Sequence, residues 1–224
     1  MKGREFEKLI KKYLLLHLPS FKVKKTELFL YPINYLLRAF SFESSQFDPY
    51  NFTIYVFVQP LYVPDDCIVF NIGSRLGIMA GLGDKWWDYT PERESIIMDE
   101  ILSLMKQHGV PFLQRIQTPQ DLVEEIKRRF PEEDYPDSYY NEIIAFSLIL
   151  AGKFEEALQE LNRLIYVLKE DPELREWEIE RMKRAERLRD MLMEDKKEEA
   201  IQLLKEWTVY TARNLRLEEY LELE

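Results

Sequence analysis

The residue spacing of this chain changes once, near Thr118, and that change constrains the fold more than any motif does. Before it, short runs rich in aromatic and branched residues are punctuated by proline, asparagine and aspartate, the pattern of strands joined by tight turns. After it, apolar residues recur only at helical spacing. The chain therefore reads as α+β: an antiparallel four-stranded meander flanked by helices, followed by an all-helical C-terminal part. The expected domains are residues 1–118, an α+β domain, and residues 119–224, an acidic helical domain with hairpin-like helices.

Charge divides at the same place. Through Thr118 there are 14 Lys+Arg and 13 Asp+Glu, a net +1; from Pro119 there are 17 and 28, a net −11. The −10 of the whole chain thus belongs to the helical half, where it disfavours nucleic acid and favours a basic protein partner. The first residues are charged and lack the apolar core of a secretory signal. The longest apolar stretches fall short of the ~20 residues that cross a bilayer, and a single cysteine allows no disulfide within the chain. These features predict a cytoplasmic protein without a membrane partner.

In the first half, Phe6, Leu9, Ile10, Tyr13, Leu14 and His17 form one helical stripe with Lys8, Lys11 and Lys12 between them, and Pro19 ends that helix. Strand-like runs follow at 21–31, 35–43, 52–59 and 67–72, separated by turn segments that include 44–49. Leu36, Arg38, Phe40 and Phe42 share one face of the second run, and Leu37, Ala39, Ser41 and Glu43 the other. Both faces are largely apolar, which calls for cover on each side or for an interface on one, so self-association stands as an alternative. A second helix is expected at 91–108, with Thr90 as N-cap, Pro91 in its first position and Gly109 as C-cap.

In the second half, Thr118, Pro119 and Asp121 have the cap, first-turn proline and early acid of a helix start, and that helix ends before Pro131. After a loop from Pro131, Asp137 or Ser138 opens a helix to Ala151, Gly152 marks a turn, and 154–168 returns. Asp171, Pro172 and Glu173 repeat the start signal for a charged helix to about Glu194, and a last helix spans 197–217. The stretches KFEEALQEL at 153–161 and KEEAIQLL at 197–204 echo one another, with Ala157 and Ala200 43 residues apart. Each resembles the second helix of a tetratricopeptide hairpin, although the spacing departs from the ~34-residue period and two copies are fewer than the ~3 of a free-standing solenoid.

Candidate chemistry is sparse. His17 and His108 are the only histidines, which restricts Ser-His and Cys-His catalysis and histidine-ligated metals. His17 reads as part of its apolar stripe, His108 as a helix C-terminal residue, and Cys67 as buried at the head of a strand. The glycines at 73, 77, 81 and 83 follow a strand but lack both the Gly-Lys-Ser/Thr ending and the dinucleotide spacing. If that loop binds an anion, Arg75 and Lys85 supply the charge. Beside it, Trp86, Trp87 and Tyr89 form the most distinctive cluster, one indole covering the sheet and the other open to a recognition surface. Residues 1–25 hold eight Lys+Arg and two Glu, which read as solvated faces. No catalytic residues, metal ligands or cofactors emerge.

The stretches YLLRAFSFESSQFD at 35–48, VFVQPLYVP at 56–64 and FNIGSRL at 70–76, continued by Pro111, Phe112, Leu113, Thr118 and Pro119, resemble a family of bacterial proteins without an established activity. The resemblance covers mostly residues 20–125 and implies a bacterial cytosolic setting, with no site residues to carry over. At the level of fold and charge alone, the chain is also similar to α+β immunity proteins that neutralise basic toxins. The expectation is a non-enzymatic protein-interaction protein, immunity-like in its charge. The alternative is a small-molecule-binding protein or enzyme using Arg75, Lys85, Trp86, Trp87 and Tyr89.

Overall fold

The computed structural model describes residues 3–48, 50–131 and 135–223; Pro49 of the turn segment at 44–49 and residues 132–134 of the loop after Pro131 lie outside the described residues. The fold is α+β, with an antiparallel sheet flanked by helices and a helical C-terminal part. Two compact units form. The first comprises residues up to Gln59 together with Ile68–Arg115, and the second Pro60–Cys67 together with Ile116–Leu223. The strand-to-strand connection at Pro60–Cys67 thus belongs to the helical unit.

In the first unit, helix α1 (Gly3–Leu9) continues through a wide turn at Ile10–Leu14 and a tight one at Leu15–His17 before Pro19. The change of winding turns His17 out to solvent, so it does not share the buried stripe of Phe6, Leu9, Ile10 and Leu14. The run at 21–31 is a hairpin of two strands, β1 (Phe21–Lys24) and β2 (Glu27–Leu30). Its two-residue turn places Lys25 at φ 56°, a conformation usually signalled by Gly, Asn or Asp, which is why the break escapes the sequence. Next come β3 (Leu36–Ser44) and β4 (Asn51–Pro60), with Leu28 opposite Phe40.

The run at 67–72 is not a strand. Two of its backbone donors go to side chains instead, Cys67 N–H to Asp65 Oδ1 at 3.2 Å and Val69 N–H to Gln59 Oε1 at 3.3 Å, and only at its end does Ile72 O accept from Val58 N–H of β4 at 2.8 Å. Pairing on β4 resumes at β5 (Gly73–Arg75), followed by the single-turn α2 (Leu76–Met79), and β6 (Trp87–Asp88) pairs with the start of β4. Every sheet neighbour for which a register is defined runs antiparallel.

The second long helical segment starts at Pro91 and forms α3 (Glu94–Leu104); Thr90 stands extended in the N-cap position, but its side chain makes no capping bond. It does not stop at Gly109. A wide turn at Met105–Gly109 carries the chain into α4 (Val110–Arg115), so His108 lies inside the helical segment rather than at its end. The wide turn falls where Pro111 removes a backbone donor and would otherwise break the ladder. Gly109 is needed for close approach, since a Cβ there would collide with the edge of the Phe40 ring. On this face of the sheet Phe6, Phe42, Phe52 and Trp87 form an aromatic core, with Phe6–Phe52 centroids at 5.3 Å and Phe52–Trp87 at 5.9 Å.

The second unit contains α5 (Pro119–Arg129), α6 (Ser138–Leu150), α7 (Phe154–Glu170), α8 (Glu176–Met193) and α9 (Lys197–Asn214). Thr118 Oγ1 accepts from Asp121 N–H and Asp121 returns the bond to Thr118 N–H, a reciprocal cap. Asp137 caps α6. The start expected at Asp171 is a turn instead, in which Asp171 accepts from Glu173 N–H, and α8 begins at Glu176 after Arg175 N–H bonds Glu178. Residues 139–149 of α6 are all buried, so this helix is the centre of the unit.

Glu94 ties the first unit together by accepting from Lys12 Nζ at 2.8 Å, Tyr13 Oη at 2.8 Å and Tyr89 Oη at 2.7 Å. Those donors hold its carboxyl down at about 2, from an ordinary value of 4.5, with the Lys12 bond the largest cause. A depressed carboxyl stabilises the fold above its unfolded value and loses that contribution as pH falls toward the folded one. Glu94→Gln should therefore lower stability at neutral pH and flatten the loss of stability between about pH 4.5 and 2, as read by urea unfolding across that window.

Candidate functional site

The sequence points to Arg75, Lys85, Trp86, Trp87 and Tyr89, and the structure places all five in the first unit near the β5–β6 connection. Each is engaged by its own neighbours. Arg75 pairs with Asp84, donates to Tyr55 Oη at 3.1 Å and lies 5.1 Å from the Trp86 ring. Lys85 pairs with Glu100, whose other oxygen accepts from Trp87 Nε1 at 3.1 Å. Trp87 is buried against Phe52, Trp86 is 38% exposed, and Tyr89 is bound to Glu94. The glycines have structural reasons too: a Cβ at Gly73 would meet the β4 backbone, and one at Gly77 would meet Lys85 and the Gly83 carbonyl. Lys8, Lys11 and Lys12 are exposed, Lys11 pairing with Glu7 and Lys12 with Glu94.

A different group of residues surrounds an open cleft of about 450 Å³ within the helical unit. It is built on one buried carboxylate. Glu142, on the all-buried α6, is 0% exposed and would be costly to ionise alone. Arg181 occupies the head of the buried stripe of α8, ahead of Ala185, Leu188 and Leu192, and brings its Nε to 3.0 Å from Glu142 Oε2. Arg184 lies one turn further on and donates its Nε to Glu142 Oε1 at 2.8 Å. Arg181 Nη1 also reaches Asp137 Oδ1 at 3.0 Å and Ser138 Oγ at 2.6 Å, so the residue that caps α6 holds the guanidinium as well.

Aromatic rings wall this network. The Arg181 guanidinium sits 4.7 Å from the Trp177 ring and 5.4 Å from that of Tyr139, and Trp177 and Tyr210 are 42% and 54% exposed at the mouth. Tyr139 is 6% exposed, yet its hydroxyl has no hydrogen-bond partner among the described residues. Burial, and then the charge of Glu142, pushes this phenol well above its ordinary range, so it remains an O–H group with both donor and acceptor capacity unused.

A further part of the lining comes from the Pro60–Cys67 segment. Tyr62 is fully buried with its hydroxyl 2.5 Å from Ser147 Oγ, Thr211 Oγ1 accepts from Asp65 N–H at 3.3 Å, and Asn214 Nδ2 donates to Asp65 O at 3.2 Å. These bonds place Asp65 and Asp66 on the cleft. Cys67 is exposed beside them rather than buried at a strand head, because Asp65 Oδ1 folds the chain into a turn through Asp66 N–H and Cys67 N–H. Partial desolvation, and then the carboxylates of Asp65 and Asp66, push its thiol up, against the thiolate form. Asp65, Asp66 and Cys67 bring potential metal-ligand atoms within 4.8 Å of one another.

No sequence motif marks this cleft, since its residues come from four separate stretches and its charges are lost among 41 acids. A signal was nonetheless present. An acid heading the long apolar stretch of α6 demands a buried partner, and Arg181 and Arg184 lie on one face of a helix.

An unpartnered buried hydroxyl costs about 1–3 kcal/mol, so Tyr139→Phe should raise the urea midpoint. Glu142→Ala, which takes from Arg184 its carboxylate and leaves Arg181 with Asp137 and Ser138 alone, should lower stability by about 3 kcal/mol. A Tyr139→Phe chain less stable than the parent would mean that the hydroxyl is bonded in the folded protein.

No helix among the described residues is long and apolar enough to cross a membrane. Comparison with protein-family models, curated proteins and solved structures returns no match for this chain.

Proposed function

We propose that this chain is a protein-interaction protein whose helical unit binds another protein through the cleft walled by Trp177, Tyr139 and Tyr210. The observation that carries the reading is the Tyr139 hydroxyl, buried without a partner among the described residues on the wall of an open cleft. A fold that only had to be stable would gain by replacing it with phenylalanine, and retention of such a group is the expected signature of a binding surface that sacrifices stability. The exposed indole and phenol at the mouth add the residue types that dominate recognition hot spots. By contrast, the charges beside the glycine loop are already neutralised by Asp84 and Glu100. The single cysteine agrees with a cytoplasmic setting.

Capture from a lysate of the native cell at physiological salt, with the full chain and its Trp177→Ala/Tyr210→Ala variant as baits, tests this. The expected outcome is a defined partner retained by the parent and lost by the variant. Identical captures by both baits would contradict it.

A further inference from the structure

We propose that the cleft of the helical unit takes an arginine side chain from a basic segment of the partner protein. This assignment rests on the reading of the cleft as a protein-binding site and names the chemistry it selects. Charge is the first argument. Among the described residues, Asp65, Asp66, Glu142 and Glu180 line the cleft against Arg181 and Arg184. Both guanidiniums are committed to Glu142, and Arg181 to Asp137 as well, so they offer little to an anion. Glu180 pairs with Lys183 at 2.7 Å and Asp65 Oδ1 already accepts from Asp66 and Cys67 N–H, which leaves Asp65 Oδ2 and the exposed Asp66 as the carboxylate oxygens on offer to an incoming group. The surrounding helical half, at −11, draws cations toward the same place.

The second argument is geometric. Trp177 already carries a guanidinium on its ring at 4.7 Å, which demonstrates the stacking the cleft favours, while Tyr210 is more than half exposed and has no ring or cation partner among the described residues. A flat cation on an apolar stem suits such a wall better than a compact, strongly hydrated ammonium. The third is the Tyr139 hydroxyl, buried in the wall without a partner among the described residues, whose lone pairs can accept one N–H of the fork once a neighbouring wall side chain shifts, while Asp65 Oδ2 or Asp66 takes others. A cleft of about 450 Å³ is too large for a lone ion and accommodates a side chain with its stem and flanking backbone.

Fluorescence anisotropy with the full chain at physiological salt tests the assignment, using a short labelled arginine–glycine peptide and its lysine, glutamine and glutamate counterparts. The arginine peptide should bind, the lysine peptide several-fold more weakly, and the other two not measurably. Asp65→Asn/Asp66→Asn should weaken binding about ten-fold and Tyr139→Phe about five-fold. The parent-like or higher thermal midpoint expected for Tyr139→Phe separates lost recognition from lost folding. Preference for the glutamate peptide, indifference to Tyr139→Phe, or equal affinity for free agmatine would each overturn the proposal, the last assigning the cleft to a small amine. If capture from lysate still depends on Trp177 and Tyr210 while the peptides are not discriminated, the interaction reading stands and the arginine assignment falls.

Discussion

A carboxylate with no access to water organises the helical unit. Glu142 sits on a helix whose residues 139–149 are all buried, and a charge there is tolerable only because two guanidiniums from α8 close on its two oxygens. That requirement fixes the rotation of α8, which must present Arg181 at the head of its buried stripe. It also draws Asp137 into a double role as helix cap and third partner. Once Arg181 is held there, Trp177 and Tyr139 stack on its guanidinium and the cleft has its walls. The site is therefore a by-product of satisfying one buried charge, and its rigidity comes from the same bonds.

The Pro60–Cys67 segment completes it in a way that neighbouring strands could not. Fully buried Tyr62, bonded to Ser147, anchors the segment, and Thr211 and Asn214 hold the backbone of Asp65. Gln59 and Asp65 take up backbone donors at Val69 and Cys67 that a strand would have used. One connection thus serves both as the link between β4 and β5 and as the acidic rim of a cleft in the other unit.

Much of the fold is legible in local chemistry. The Thr118–Asp121 cap, the Asp137 cap and the turn at Gly152 each have a side-chain or backbone cause visible within a few residues, and the helices they bound lie close to where spacing puts them. Local signals fail where a tertiary contact decides. Lys25 adopts the left-handed turn without a residue that advertises it, Gly109 reads as a helix end but serves the approach of Phe40, and Asp171 reads as a cap but closes a turn. The conspicuous Trp86, Trp87 and Tyr89 prove to be satisfied by Arg75, Glu100 and Glu94. The cleft, by contrast, joins ordinary residues from Val63 to Tyr210, and only the misfit of an acid in an apolar helix betrays it.

The four tryptophans allow the central claim to be read residue by residue, because Trp86 and Trp87 report on the glycine-loop region, Trp207 packs on Phe146 and Trp177 stands at the cleft. The most direct measurement follows their indole N–H resonances as the full chain is titrated with the arginine–glycine peptide. The account predicts a saturable shift of Trp177 with Trp86 and Trp87 unmoved. A shift confined to Trp86 and Trp87, or no shift at Trp177, would contradict it.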